Sequence, residues 1–171
     1  MKTKTVIILM GVSGSGKSTL GTAIAAQSGM AFFDGDKFQP PGNIRKMAAG
    51  IALEDDDRWP WLNALGAAIC AREPGSGAIV ACSALKRSYR DRLRTLIGEP
   101  VLFVWLQIPP HLLAERLKHR QGHYMPPTLL ESQLDAFEPL DPDERAIELT
   151  ADESMTATVA SSIIWAAIGR R

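Results

Sequence analysis

The sequence predicts an α/β fold in which a five-stranded parallel sheet is covered by helices on both faces. Three observations predict it. Short apolar runs bounded by turn residues alternate with segments of helical periodicity, the pattern of repeated strand–helix–strand units. The first apolar run leads into a glycine-rich loop and then an amphipathic segment, so the chain opens on a strand–loop–helix unit. The 171 residues are one domain's length, and the 46% that are hydrophobic suffice for a single core.

The strands are expected at Val6–Met10, Ala31–Phe33, Ala78–Cys82, Val101–Leu106 and Ile147–Leu149. The first, behind Met1–Lys4, imitates a signal peptide. Its apolar run is short and leads into glycines with no small-residue cleavage site, so it reads as a buried strand. A helix over Lys17–Gln27 carries Leu20 and Ile24 on one side. A short helix is expected around Ile44–Ala49 inside the polar stretch Gln39–Asp57. Trp59–Ala71 presents Trp61, Leu65 and Ala68, after the acidic triplet Asp55-Asp56-Asp57, which suits an N-cap; Pro60 is tolerable in a first turn. Leu85–Ile97 places Leu85, Tyr89, Leu93 and Leu96 on one side and stops at Gly98 and Pro100. A helix through Arg120 follows Pro109-Pro110, and Met155–Ile168 closes the chain. Gln39–Asp57 and Gln121–Thr128 read as flaps beside a site.

Composition excludes several classes of function. Lys+Arg 19 against Asp+Glu 19 gives a formal net charge of +0, which argues against a nucleic-acid or acidic-membrane partner. No segment reaches the roughly 18 apolar residues of a membrane span. The two cysteines, Cys70 and Cys82, are too few for a disulfide framework and fit a reducing cytoplasm. Zinc-ligand spacing and a G-x-S-x-G elbow are both absent from the sequence.

Gly11-Val12-Ser13-Gly14-Ser15-Gly16-Lys17-Ser18, followed by Thr19, matches G-x-x-x-x-G-K-[ST] in full. Glycines let successive N–H groups curl inward onto phosphate oxygens, and the helix beginning near Lys17 adds its positive end. Lys17 reaches β- and γ-phosphates and the Ser18 hydroxyl ligates Mg²⁺. The motif points to a three-layer P-loop NTPase with a nucleoside triphosphate and Mg²⁺ as expected cofactors. An N-K-x-D guanine motif is absent, and the length leaves little room for a motor's relay elements, so a small-molecule kinase leads.

Asp34 and Asp36 stand at i and i+2 at the end of the second strand, facing the crevice beyond the strand ends. One carboxylate can serve the magnesium side; the other can orient an alcohol and take its proton. Arg45 and Lys46 lie in the first irregular stretch and Arg58 follows the acidic triplet; Arg45 and Arg58 are candidates for substrate binding. Lys86 and Arg90, at i,i+4 just after the third strand, are candidates for an anionic substrate. Arg116 and Arg120 share a face ahead of Gly122-His123-Tyr124, where an arginine closing on the γ-phosphate would stabilise developing charge. His123 is a candidate donor to substrate, and Trp61 is assigned to the core.

These residues resemble a known family. Asp34-Gly35-Asp36, Asn43, Lys46-Met47, Gly50, Asp55-Asp56-Asp57-Arg58 with Pro60-Trp61-Leu62, Cys82-Ser83-Ala84-Leu85-Lys86, Tyr89-Arg90-Asp91, Gly122-His123, Ser132-Gln133 and Glu138-Pro139 are similar to the gluconate kinases, from the phosphate loop to about Arg145. The resemblance implies a nucleoside-monophosphate-kinase-like fold over residues 1–171, with the phosphate loop at 11–18, a substrate-binding segment at about 37–58 and a lid at about 116–128. It implies Mg-ATP-dependent phosphorylation of D-gluconate at its terminal hydroxyl by a cytoplasmic homodimer feeding the pentose phosphate route. Asp36 would meet the attacked hydroxyl, Asp34 the metal; Arg45, Lys86 and Arg90 would hold the sugar acid, and Arg120 would come from the lid. Gln39 and Ala52 depart from the usual His and Pro, and Tyr124 from Phe. A shikimate-kinase-like enzyme is the nearest alternative, but Cys82–Lys86 stands where its triple glycine is expected. A nucleotide-dependent regulatory switch is the alternative from another class.

Overall fold

In the computed structural model, which describes residues 4–118, 129–152 and 154–169, the apolar runs form one sheet. The strands are β1 (Val6–Met10), β2 (Ala31–Asp34), β3 (Ala78–Ala81), β4 (Val101–Gln107) and β5 (Ala146–Thr150). They lie in the order β2-β3-β1-β4-β5. Every pairing is parallel: Ile8 of β1 is opposite Val80 on one side and Phe103 on the other, Phe33 is opposite Val80, and Val104 is opposite Ile147. All five residues of β1 and all four of β3 are buried, as continuous apolar runs require in a sheet covered on both faces.

The pleat sorts β1 between two cores. Val6, Ile8 and Met10 pack with Trp61, Leu62, Leu65 and Ile69 of α3 (Asp55–Cys70) and with Tyr89, Leu93 and Ile97 of α4 (Arg87–Ile97). Ile7 and Leu9 pack with Ile24 and Ala25 of α1 (Lys17–Ser28) and with Ala160 and Ile164 of α7 (Ala157–Gly169). The result is the three-layer α/β arrangement expected. From β1 the chain builds one side of the sheet (β2, β3) and then crosses to the other (β4, β5), so a crevice opens beyond the carboxyl end of β1, where residues 11–16 run.

The helices depart from expectation at informative places. The acidic triplet is the first turn of α3 and not its cap: Glu54 is the N-cap, closing a reciprocal capping box with Asp57. Pro60 therefore lies inside the helix, where it removes one backbone donor. The helix in the first flap, α2 (Pro41–Ala48), starts earlier than expected, because Pro41 serves as a first-turn proline. A 3₁₀ turn at Gly35–Phe38 extends β2 into that flap. α5 (Pro110–Lys118) follows β4, and α6 (Leu129–Ala136) is an element the sequence reading does not contain. Its eight residues span barely two turns, too few for a period to show.

Candidate active site

Every element that meets the crevice is positioned by the sheet. β1 delivers Gly11, whose N–H donates to the Ser83 carbonyl (3.2 Å) just past β3. The loop turns on Gly14 and Gly16, at φ 84° and 92°, a region other residues enter only with strain. Space forbids a side chain as well as dihedral: a Cβ on Gly14 would lie 2.9 Å from Leu113 Cδ1. Gly16 is the N-cap of α1 and brings no side-chain acceptor, which leaves first-turn N–H groups of that helix for an anion. Lys17 Nζ donates to the Val12 carbonyl (2.8 Å), folding the ammonium back over the loop.

The second strand ends in a built turn. Asp34 accepts the Asp36 N–H on Oδ1 (3.2 Å), and Trp61 Nε1 donates to the Gly35 carbonyl (2.7 Å). Gly35 passes so close to β3 that a Cβ would sit 2.6 Å from the Ala81 carbonyl oxygen. Trp61, buried as expected, thus also locks the turn that presents Asp36. Asp36 lines one cleft together with Gly14, Gly16, Lys17, Ser18 and Thr19. Cys82, just past β3, is buried, and burial pushes its thiol up to about 12, against a hydrogen bond with the Ala84 backbone, with the Asp36 charge adding and the Lys17 charge opposing. Asp34 is not among the cleft-lining residues, and one of its carboxylate oxygens caps the Asp36 amide.

The far wall comes from the first flap, α3 and α6. Arg58 lines the cleft beside Gln39 and Met47. Its guanidinium stands 5.3 Å from the centre of the Tyr89 ring, and its buried Nε has no protein partner. Among the described residues the other buried side-chain atom without a partner is Ser15 Oγ, in the phosphate loop itself. Gln39 is buried and accepts from Asn43 Nδ2 (2.9 Å), which also donates to the Asp57 carbonyl (2.8 Å). The Gln39 departure is thereby absorbed into the junction of α2 and α3. Leu129, Ser132 and Gln133 of α6 complete the wall, and Gln133 Oε1 accepts the Ser13 N–H at 2.7 Å.

A shallower groove continues outward past Arg58 and Ser132 to Lys86 and Tyr89. Lys86 Nζ (2.7 Å) and the Tyr89 hydroxyl both donate to Asp55 Oδ1, and the Lys86 bond, then that of Tyr89, holds the Asp55 carboxyl below its ordinary value. On the other side of the phosphate loop a second cavity is lined by Leu20, Leu106, Arg116, Asp152 and Met155. Arg116 donates there to the carbonyls of Ser15 (3.5 Å) and Ala151 (3.3 Å).

The other expected residues fare differently. Arg90 does not reach the cleft. It is 0% exposed, its Nε and Nη2 donate to the two Glu144 carboxylate oxygens (2.7 and 2.8 Å), and its remaining bonds go to the carbonyls of Ala84, Leu85, Glu138 and Pro139. The premise that Lys86 and Arg90 share a helix face fails as well, since α4 starts at Arg87 and Lys86 is its extended N-cap. Arg45 is exposed on α2 and is not among the cleft-lining residues. Arg120, His123 and Tyr124 lie outside the described residues.

The donors present suit a magnesium nucleotide. Ser18 in the cleft and the Asp34–Asp36 pair at the end of β2 offer hard oxygens, and this ion usually takes only one or two protein ligands beside phosphate oxygens and water. That chemistry needs no preformed cage, and among the described residues no group of three or more His, Cys, Asp or Glu stands ready to hold a metal.

The chain matches the family model described as an AAA domain over residues 6–140. It is 43% identical over 155 residues to a gluconokinase of Gluconobacter oxydans, covering 86% of this chain and 83% of that protein. The thermoresistant gluconokinase of Escherichia coli is 41% identical over 161 residues, 92% of this chain and 91% of its own. The crystal structure of a gluconokinase from Sinorhizobium meliloti superposes with a TM-score of 0.82 at 44% identity, over 99% of this chain and 94% of that one.

Proposed function

The chain belongs to the gluconokinase family, and from that premise we propose that it transfers the γ-phosphoryl group of ATP to the terminal hydroxyl of D-gluconate, giving 6-phospho-D-gluconate and ADP. The observation that carries the reading is one cleft lined by the phosphate loop, the Asp36 carboxylate and an arginine with a buried, unpartnered nitrogen. Loop amides and the α1 N-terminus grip the phosphates, and Lys17 swings from the Val12 carbonyl to the β- and γ-oxygens. Ser18 and Asp34 would hold Mg²⁺, which when bound would offset negative charge on the phosphates. Asp36 orients the alcohol. As the new P–O bond forms and the bond to the β–γ bridging oxygen breaks, the hydroxyl proton passes to this carboxylate and ADP departs. Arg58 receives the carboxylate of the sugar acid, with Lys86 further out, because a planar fork matches both oxygens. The cavity beside Arg116 takes the base.

The lid at about 116–128 supplies Arg120 and His123, the acceptor segment is about 37–58, and the enzyme works as a cytoplasmic homodimer. The likeness to the family supports these assignments, and no described helix is long and apolar enough to cross a membrane. The test is a coupled assay of ADP release with Mg-ATP across gluconate, other sugar acids, neutral polyols and shikimate. Release that rises with gluconate is expected; release indifferent to every acceptor overturns the reading.

A further inference from the structure

α6 brings one side chain to the phosphate loop from the acceptor side. Gln133 Oε1 accepts the Ser13 N–H at 2.7 Å across 120 residues of sequence, and the side chain is 7% exposed. This is no flexible surface contact. α6 is anchored by Leu130 and Ala136, which pack with Phe137 on Val12, Leu85 and Leu113. The carboxamide is therefore delivered to the loop by a packed helix, on the wall that also carries Leu129 and Ser132.

The residue type matters as much as the distance. A loop that binds a polyanion keeps its shape only if amides not used by the ligand are satisfied, since an unmet buried N–H costs about 1–3 kcal/mol. A carboxylate would satisfy Ser13 equally well but would set a negative charge beside the phosphates. A glutamine does the same bonding without the charge. We propose that Gln133 is a positioning residue that holds the phosphate loop in its nucleotide-gripping shape from the acceptor wall, and that its neutrality is required there. The proposal rests on the nucleotide half of the reading above and is independent of which acceptor is phosphorylated.

Two isosteric variants separate bond from charge. Calorimetric titration of the full chain with AMP, ADP and a non-hydrolysable ATP analogue, at fixed magnesium, is compared for wild type, Gln133→Met and Gln133→Glu, each with its thermal midpoint. Gln133→Met, which loses the acceptor, is expected to weaken ADP and the ATP analogue about five- to tenfold, the worth of one hydrogen bond. Gln133→Glu keeps the acceptor and is expected to melt with wild type, yet to lose affinity in a series that grows from AMP to ADP to the triphosphate, reaching about tenfold or more. Unchanged affinities in both variants overturn the proposal. So does a loss that is equal for all three nucleotides and accompanied by a lower midpoint, which marks a purely structural contact. Failure of wild type itself to bind any of the three nucleotides brings down the reading of the cleft and the proposal with it, an outcome distinct from a failure confined to the variants.

Discussion

Asp36→Asn keeps the size of the side chain and removes its charge and basicity. Its kcat is expected to fall about 10²- to 10⁴-fold, the usual range for a lost general base, while the calorimetric Kd of the ATP analogue stays near wild type. Turnover near wild type returns the proton to another group. Arg58→Met is the matching test of the acid end. Gluconate's KM should rise about tenfold or more, as for a lost charged hydrogen bond, whereas the neutral D-glucitol should be handled as by wild type. Equal losses for both acceptors would place Arg58 in packing against Tyr89 instead. The Asp34–Asp36 pair could be placed at a strand end from the sequence, although a plain Asp-Gly turn gives the same pattern. The candidate basic residues could not be told apart. Arginines at Arg58 and Arg90 look alike in sequence, and only the fold shows that one nitrogen of Arg58 is left without a partner while Arg90 is consumed by Glu144.

At the scale of elements, the Arg90–Glu144 pair pins α4 to the segment that precedes β5. Removing one partner leaves the other charge buried, so Glu144→Gln should cost about 3–5 kcal/mol in a urea titration and leave the gluconate KM near wild type. A raised KM with unchanged stability would reinstate Arg90 as a substrate ligand. The same pair sets an acid dependence. Burial opposes ionisation of Glu144, but its bonds to Arg90 prevail and hold the carboxyl below its ordinary 4.5. A depressed carboxyl stabilises the fold fully above that ordinary value and loses its contribution as pH falls through the folded value. The wild-type urea midpoint should therefore drop below about pH 4.5 more steeply than that of Glu144→Gln. The strands could be read as short apolar runs bounded by turn residues, and α1 and α3 from periodicity because each spans enough residues to repeat. α6 could not, and with it went the Gln133 wall; Ser132-Gln133 enters the sequence reading only through the family resemblance, and Leu129 and Gln133 at i,i+4 are too sparse to define a face.

For the whole molecule, the cleft and the nucleotide cavity lie on either side of one loop, so a bound nucleotide should stabilise the entire sheet. An ATP analogue at 100 times its Kd adds about 2.7 kcal/mol, which at about 2–4 °C per kcal/mol for a chain of this size raises the thermal midpoint by about 5–11 °C. No shift in calorimetric melting would show that the loop does not grip phosphate. The strand order carries one more consequence, and it concerns synthesis. β1 is flanked by β3 and β4, so its Val-Ile-Ile-Leu-Met run waits for partners made much later. A nascent chain halted before Val101 has one whole flank of that run unpaired, uncharged and free of proline, the kind of segment that self-associates. The strand that aims the phosphate loop is thus also the stretch a translating ribosome leaves exposed longest, and the one whose shielding by a chaperone would matter most.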